Sequence, residues 1–332
     1  MTIALPNAPL VIAHRGASGY HPEHTRSAFR LAFEHGVDAV EPDLVASSDG
    51  VLVIRHENEM SKSTDVAGRV EFAHRHTTKL IDGIARTGWF TEDFTWAELS
   101  TLRATEPLPK IRLGNLEQSG TESILRLEDL LELVDAEDRS VGVVLEIKHA
   151  SYFAGIGLHL DVLLAEALDA VGWTDDARLT IECFELTFFD KIRARGVNGQ
   201  FIYLLEVDGA PVDRPQESYA SSRTDEGLLA LRPHVDGISV NKRVLFERDA
   251  VGVVGMNDLV TRAQAAGLLI YCWTLRAENR FLAVEHRVGD REGDIGDWPT
   301  EFGMILASGI DGVFSDHPDL AMHARRRLHE GA

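Results

Sequence analysis

The sequence predicts a (β/α)8 barrel, and three observations carry that prediction. Apolar runs of four to six residues recur along the chain, several nearly continuous in Val, Ile and Leu, as in strands buried on both faces. Helical patterns separate most of them. One connection, 45–50, is too short for a parallel crossover, so one of nine candidate strands must run antiparallel and eight remain for parallel βα units. A doubly wound sheet is the alternative, but no G-x-G-x-x-G opens a helix after the first strand.

The first candidate strand is 10–14, Leu10-Val11-Ile12-Ala13-His14, and a helix follows over 24–35, with Ala28, Leu31 and Ala32 at helical spacing. Strand 38–43 ends in Glu41-Pro42-Asp43. The turn residues Ser47-Ser48-Asp49-Gly50 then send the chain back as the antiparallel strand 51–55. Residues 57–125 form a long insertion with polar, charged and aromatic content. A helix over 128–135, a strand over 142–148 and a helix over 156–171 follow, then strands 178–183 and 200–205. The segment 207–222, with Pro211, Pro215 and several serines, reads as loop before strand 236–240. The helix 257–266 starts on the capping pair Asn257-Asp258 and stops at Gly267. Strand 268–273, an acidic loop over 285–300, a helix over 301–308 and strand 310–314 complete the pattern. The chain, 1–332, is read as a single barrel domain with its insertion at about 57–125.

Composition narrows the function. The chain is 44% hydrophobic and 26% charged, enough for a large core. A formal net charge of −20 argues against nucleic-acid binding and against docking on an anionic membrane by charge alone. Cys183 and Cys272 each lie inside an apolar run and read as buried thiols rather than a disulfide. No stretch approaches the roughly 18 apolar residues of a membrane span. Residues 1–9 lack a basic start and a long apolar stretch, so no signal peptide is expected, and the expected location is cytoplasmic.

The chemistry concentrates between His14 and His56. Glu41 and Asp43 stand two residues apart on one strand face, where unpaired burial of both is costly. Glu146 and Lys148 share a face in the same way. Three strand-end carboxylates with no cysteine nearby are hard oxygen ligands, suited to one divalent cation, Mg²⁺ or Ca²⁺, rather than Zn²⁺. A lone histidine after an apolar run is more often structural. Two of them, His14 and His56, flanking a carboxylate pair, point instead to general acid–base work, with a bell-shaped pH profile near neutrality. Arg15 and Lys148, each an ordinary salt-bridge partner alone, make an anion site beside a metal, and phosphate fits it. Trp273 is as readily core as substrate wall. His74 and His76 read as solvated, His21 and His24 as residues of the loop after the first strand with site lining as the lesser alternative, and Asp311 as turn or strand-start chemistry.

These residues resemble the glycerophosphodiester phosphodiesterase family. The resemblance rests on H-R-G at His14 to Gly16, P-E-x-T from Pro22 to Thr25, E-x-D from Glu41 to Asp43, and D-G-x-x-V-x-x-H from Asp49 to His56. It continues in E-x-K from Glu146 to Lys148, Trp273-Thr274, G-x-D-G from Gly309 to Gly312, and Asp316-His317-Pro318. The motifs keep the family's order over nearly the whole chain, and 57–125 resembles its insertion. The resemblance implies a TIM barrel and a metal-dependent hydrolase of glycerophosphodiesters. Glu41, Asp43 and Glu146 would hold the metal, His14 and His56 would be acid and base, and Arg15 and Lys148 would hold phosphate. Trp273 is counted with the substrate contacts, and Glu23 would sit near the metal. One histidine would deprotonate the attacking group and the other protonate the leaving alcohol. The attacking group is either the neighbouring glycerol hydroxyl, through a cyclic phosphate, or water. The chain departs from the family at His24, usually Asn, at Glu57, usually Asp, and at Glu182, often Gln. None of these removes a residue assigned to chemistry.

The expected partner is a small-molecule glycerophosphodiester, with no nucleic acid and no stable membrane insertion. A lipid phosphodiesterase of lysophospholipase D or sphingomyelinase D type is the alternative enzyme. Phe72, Ile81, Ile84, Trp89, Phe90, Phe94 and Trp96 in the insertion keep it in view, although core packing explains them equally. A binding protein that keeps metal and phosphate without turnover is the third reading, opposed by the intact histidine pair.

Overall fold

The computed structural model describes residues 8–250 and 252–330. Its strands are β1 (Leu10–His14), β2 (Ala39–Glu41), β3 (Asp43–Ala46), β4 (Leu52–Ile54), β5 (Thr77–Ile81), β6 (Ile84–Gly88), β7 (Gly142–Ile147), β8 (Leu179–Cys183), β9 (Gln200–Leu205), β10 (Gly237–Asn241), β11 (Phe246–Arg248), β12 (Val253–Met256), β13 (Leu269–Leu275) and β14 (Gly312–Ser315). Neighbouring barrel strands run parallel, β1 pairs with both β2 and β14, and contact between β2 and β7 closes the ring. With β2 and β3 forming one position, the closed parallel barrel has eight positions, as the sequence predicts. β2 and β3 are one strand interrupted at Pro42, which has no N–H for the ladder.

Strand alternation places the site. Leu10, Ile12, Ala39, Val144, Ile202, Tyr271 and Phe314 form a small apolar cluster separate from the large core. The alternate residues Val11, Ala13, Val40, Val143 and Leu145 belong to the large core shared with the helices. Continuing the first set by two residues reaches His14, Glu41, Glu146 and Trp273. The positions that fill the lower barrel thus carry the chemistry at its C-terminal mouth.

β4 returns antiparallel to β3, with Leu44 opposite Ile54 and the tight turn closed at Gly50 (φ +82°). The return brings Arg55 N–H onto Asp43 O at 2.9 Å, so the next residue, His56, arrives at the level of Asp43.

Some expectations need correction. The helix expected over 156–171 spans only Leu160–Val171, because Gly157 turns left-handed (φ +87°) ahead of it, and a separate helix, Ala150–Gly155, lies before that turn. The insertion carries an unforeseen hairpin, β5–β6, turning at Asp82 (φ +48°) and Gly83 (φ +80°). A second hairpin, β11–β12, precedes the helix Leu259–Ala265. Phe72, Phe90, Phe94 and Ile81 are buried, and Trp89 and Trp96 pack against the core, so the insertion's aromatic content is mostly packing. Ile84 is the exposed member of that set. Cys183 and Cys272 are free and buried. Among the described residues no helix is long and apolar enough to cross a membrane. Residues 1–7, the greater part of the segment read for a signal peptide, lie outside the described residues.

Candidate active site

Glu41, Asp43 and Glu146 converge at the barrel mouth, each offering an oxygen within 4.8 Å of the others. Register explains the meeting, since β3 and β7 pair Asp43 with Glu146. Glu41 Oε2 accepts the Arg15 backbone N–H at 2.8 Å, but Glu41 Oε1 is buried without a partner. Asp43 has Arg15 Nε and His24 Nε2 each 3.2 Å from Oδ2 and Lys148 Nζ 3.6 Å from Oδ1. None of these contacts is a hydrogen bond, and both oxygens remain unsatisfied. Burial opposes ionisation of Asp43, but Arg15, His56 and Lys148 outweigh it and hold the carboxyl well below its usual range. Burial, with Asp43 and Glu146 close by, pushes Glu41 well above its range. Burial and Asp43 push Glu146 to about 8 against the pull of Lys148, which donates to it at 2.5 Å. Three buried carboxylates, with partnerless oxygens on Glu41 and Asp43 and no sulfur or imidazole among them, fit a hard divalent cation. Glu182, opposite Glu146 in the β7–β8 register, adds a fourth buried carboxylate with a partnerless oxygen.

The two histidines are built alike. His14 Nδ1 lies 2.6 Å from Asp316 Oδ1, and His56 Nδ1 lies 3.3 Å from Glu57 Oε1. A carboxylate at Nδ1 leaves Nε2 free for the cavity. Burial and the Arg15 charge lower His14 to about 3, against the pull of Asp316. Burial, Arg15 and Lys148 lower His56 to about 4. Asp316 is itself clamped by Arg276 Nε at 2.6 Å and by Arg112, which also holds Glu278 at 2.7 Å and Ser18 O at 2.9 Å. Arg15, in a left-handed turn (φ +59°), pairs with Glu23 at 2.8 Å.

His14, Arg15, His56, Glu57 and Arg276 stand where two lobes meet. One lobe, about 440 Å³, runs over Glu146, Lys148, Glu182 and Trp273. The other, about 310 Å³, runs under the insertion. Trp273 is half-buried, packs against the small apolar cluster and edge-to-face with Phe184 at 5.9 Å, and also lines the first lobe. Glu23 faces the second lobe. His24 is buried behind the site, its Nε2 accepting the Asp43 backbone N–H at 3.2 Å. His21 bonds Ser27, His74 and His76 are exposed, and Asp311 accepts the Ile270 N–H at 2.8 Å at the base of β13.

Sequence reasoning gave no role to Asp316, Arg112 or Arg276. Asp316 had the same signal as His14, a charged residue closing an apolar strand. Arg112, deep in the insertion, had none.

Over residues 14–320 the sequence matches the glycerophosphoryl diester phosphodiesterase family. It is 27% identical over 339 aligned residues to glycerophosphodiester phosphodiesterase GDPD6 of Arabidopsis thaliana, covering 93% of this chain and 83% of that one. It is 25% identical over 348 residues to the glycerophosphodiester phosphodiesterase of Treponema pallidum, covering 94% and 90%. Among solved structures, a phosphodiesterase of Oleispira antarctica in complex with the product sn-glycerol-3-phosphate superposes with a TM-score of 0.62 at 21% identity, over 96% of both chains. A glycerophosphodiester phosphodiesterase of Agrobacterium tumefaciens gives 0.60 at 17% identity, over 95% of this chain and 99% of that one. At these identities the structural likeness establishes the fold.

Proposed function

The chain belongs to the glycerophosphoryl diester phosphodiesterase family, and from that premise we propose that it hydrolyses glycerophosphodiesters to glycerol 3-phosphate and an alcohol by histidine acid–base catalysis. The observation that carries the mechanism is the pair His14 and His56, each backed at Nδ1 by a carboxylate and both lining one cavity with Arg15. The glycerol 3-phosphate held by the Oleispira structure supports the choice of product.

Arg15 and Lys148 hold the phosphate oxygens and orient phosphorus between the imidazoles. One histidine takes the proton of the attacking hydroxyl, and its positive charge is stabilised by the carboxylate behind it, Asp316 for His14 or Glu57 for His56. The other protonates the departing alkoxide oxygen, and where the neighbouring glycerol hydroxyl rather than water is the attacker, water then opens the cyclic phosphate with the two histidine roles exchanged. Arg112 and Arg276 keep Asp316 in one orientation and ionised. Glu41, Asp43 and Glu146 would hold one divalent cation, Mg²⁺ or Ca²⁺, which supplies Lewis-acid polarisation of the phosphate when bound. Trp273 gives the substrate's carbon skeleton a flat wall.

We read the chain as one catalytic unit, barrel and insertion together, because the insertion shares the barrel's core. Two buried free thiols support a reducing, cytoplasmic setting. Of the residues that kept a lipid substrate in view, none lines either lobe.

The test is release of glycerol 3-phosphate from glycerophosphoglycerol and glycerophosphocholine, with and without EDTA. Release that EDTA stops is expected. With glycerophosphocholine, cleavage on the other side of phosphorus, giving free glycerol and choline phosphate, would contradict the assignment.

A further inference from the structure

The lobe under the insertion has a charge pattern that the reaction itself does not require. A phosphodiester carries two alcohols. On the hydrolase reading phosphorus sits between His14 and His56, where the two lobes meet, and assigning the glycerol to the lobe beside Glu146 leaves the other lobe for the second alcohol. Most charges there are already matched. Arg15 faces Glu23 and Asp43, and Arg112 and Arg276 both face Asp316. Glu57 lies between His56 and His149. Glu59 accepts from Ser61 and from the Trp89 backbone. Two cations remain, Lys62 and Arg86, both exposed and with no hydrogen bond or ion pair from their side chains to any described residue.

The backbone aims one of them. A Cβ on Gly88 would collide with the Glu59 carboxylate, so that face of β6 looks at the segment walling the lobe. Arg86, two residues earlier, shares the face. The placement also costs something locally, since Arg86 pairs directly across the hairpin with Lys79, and like charges there repel. Lys79 is neutralised by Glu92 and Asp93, whereas Arg86 is left for the lobe.

We propose that this lobe is the leaving-alcohol subsite and that Lys62 and Arg86 select glycerophosphodiesters whose alcohol carries a further anionic group, a phosphate or a carboxylate. The proposal rests on the hydrolase reading above. The insertion thereby sets which head group is released, while the barrel mouth performs the cleavage.

Three substrates decide it. In bis(glycerophospho)glycerol the alcohol carries a second phosphodiester, in glycerophosphoglycerol it is neutral, and in glycerophosphocholine it is a cation. Two exposed ion pairs predict a kcat/KM for the anionic substrate roughly tenfold above that for the choline ester, shrinking as salt is added. In Lys62→Ser/Arg86→Ser the ratio falls toward one, and in Lys62→Glu/Arg86→Glu it inverts. A wild-type ratio near one or favouring choline, or a ratio unchanged in the double Ser variant, overturns the subsite. If glycerophosphoglycerol is still cleaved in that case, the hydrolase reading stands alone. If none of the three is cleaved, both readings fall.

Discussion

His14 touches Asp316 at 2.6 Å across 302 residues of sequence, and that contact determines what replacing either one does. An acid–base group is needed while bonds change and adds little to ground-state binding. His14→Ala and His56→Ala should each lower kcat by ~10²–10⁴ with KM moving much less. A substrate with a better leaving group should rescue whichever variant lacks the acid. Near-parental kcat with weakened cation or phosphate binding would make the histidines ligands instead. Asp316→Asn removes the charge that stabilises the His14 imidazolium, so kcat should fall and the pH profile should change shape. An unchanged profile would leave Asp316 a purely structural role. The pH dependence has a direction too. Burial and Arg15 hold His14 at about 3 and His56 at about 4, so both are neutral in the free protein at pH 6. A bound phosphodiester adds negative charge beside both and raises them. The acidic limb of kcat/KM, which reports the free enzyme, should therefore lie at lower pH than that of kcat. Coincident limbs would refute this.

The elements hold these residues through a few close approaches. Gly16 follows Arg15 in a left-handed turn (φ +81°), and a Cβ there would stand 2.7 Å from the Ala28 carbonyl carbon of the helix Arg26–Glu34. Gly16→Ala should destabilise the fold by about 1–3 kcal/mol or more and displace Arg15, read as a lower urea midpoint and a raised KM. A variant as stable as the parent would mean the turn can relax. Cys183 on β8 and Cys272 on β13 predict the reverse. Burial pushes the Cys272 thiol up to about 12, and the Cys183 thiol well above its usual value, so neither is a nucleophile at neutral pH. Cys183→Ala/Cys272→Ala should keep its turnover and lose about 1 kcal/mol per site to the cavities. Loss of turnover in the folded variant would show that one of the thiols takes part.

Across the whole molecule, the carboxylate cluster couples folding to pH and to the cation. Glu146 sits at about 8 in the folded protein against 4.5 for the free side chain, and Glu41 shifts the same way. The folded state therefore holds protons that the unfolded chain releases, and the stability this gives is lost as pH rises from about 4.5 to 8. Asp43 shifts downward, so its contribution is already complete above its unfolded value and stays constant in that window. With EDTA present, Tm should fall between pH 5 and 8. Mg²⁺ or Ca²⁺ should raise it, and by more at pH 8, where the cation meets less proton competition. Glu41→Gln/Glu146→Gln should flatten both trends, and a parent protein without them would refute the linkage. Much of this molecule was legible in the chain alone. Apolar periodicity marks strands and their faces, and spacing two residues apart puts Glu41 with Asp43 and carries His14 to the end of an inward face. The count of βα units predicts a closed ring, because these are local consequences of backbone geometry. Even the unforeseen β5–β6 hairpin had its signal in Asp82-Gly83. Which strand ends meet is not local. Only ring closure sets β1 against β14 and so gives His14 its Asp316, and only the packing of the insertion brings Arg112 to that carboxylate and leaves Lys62 and Arg86 over the second lobe.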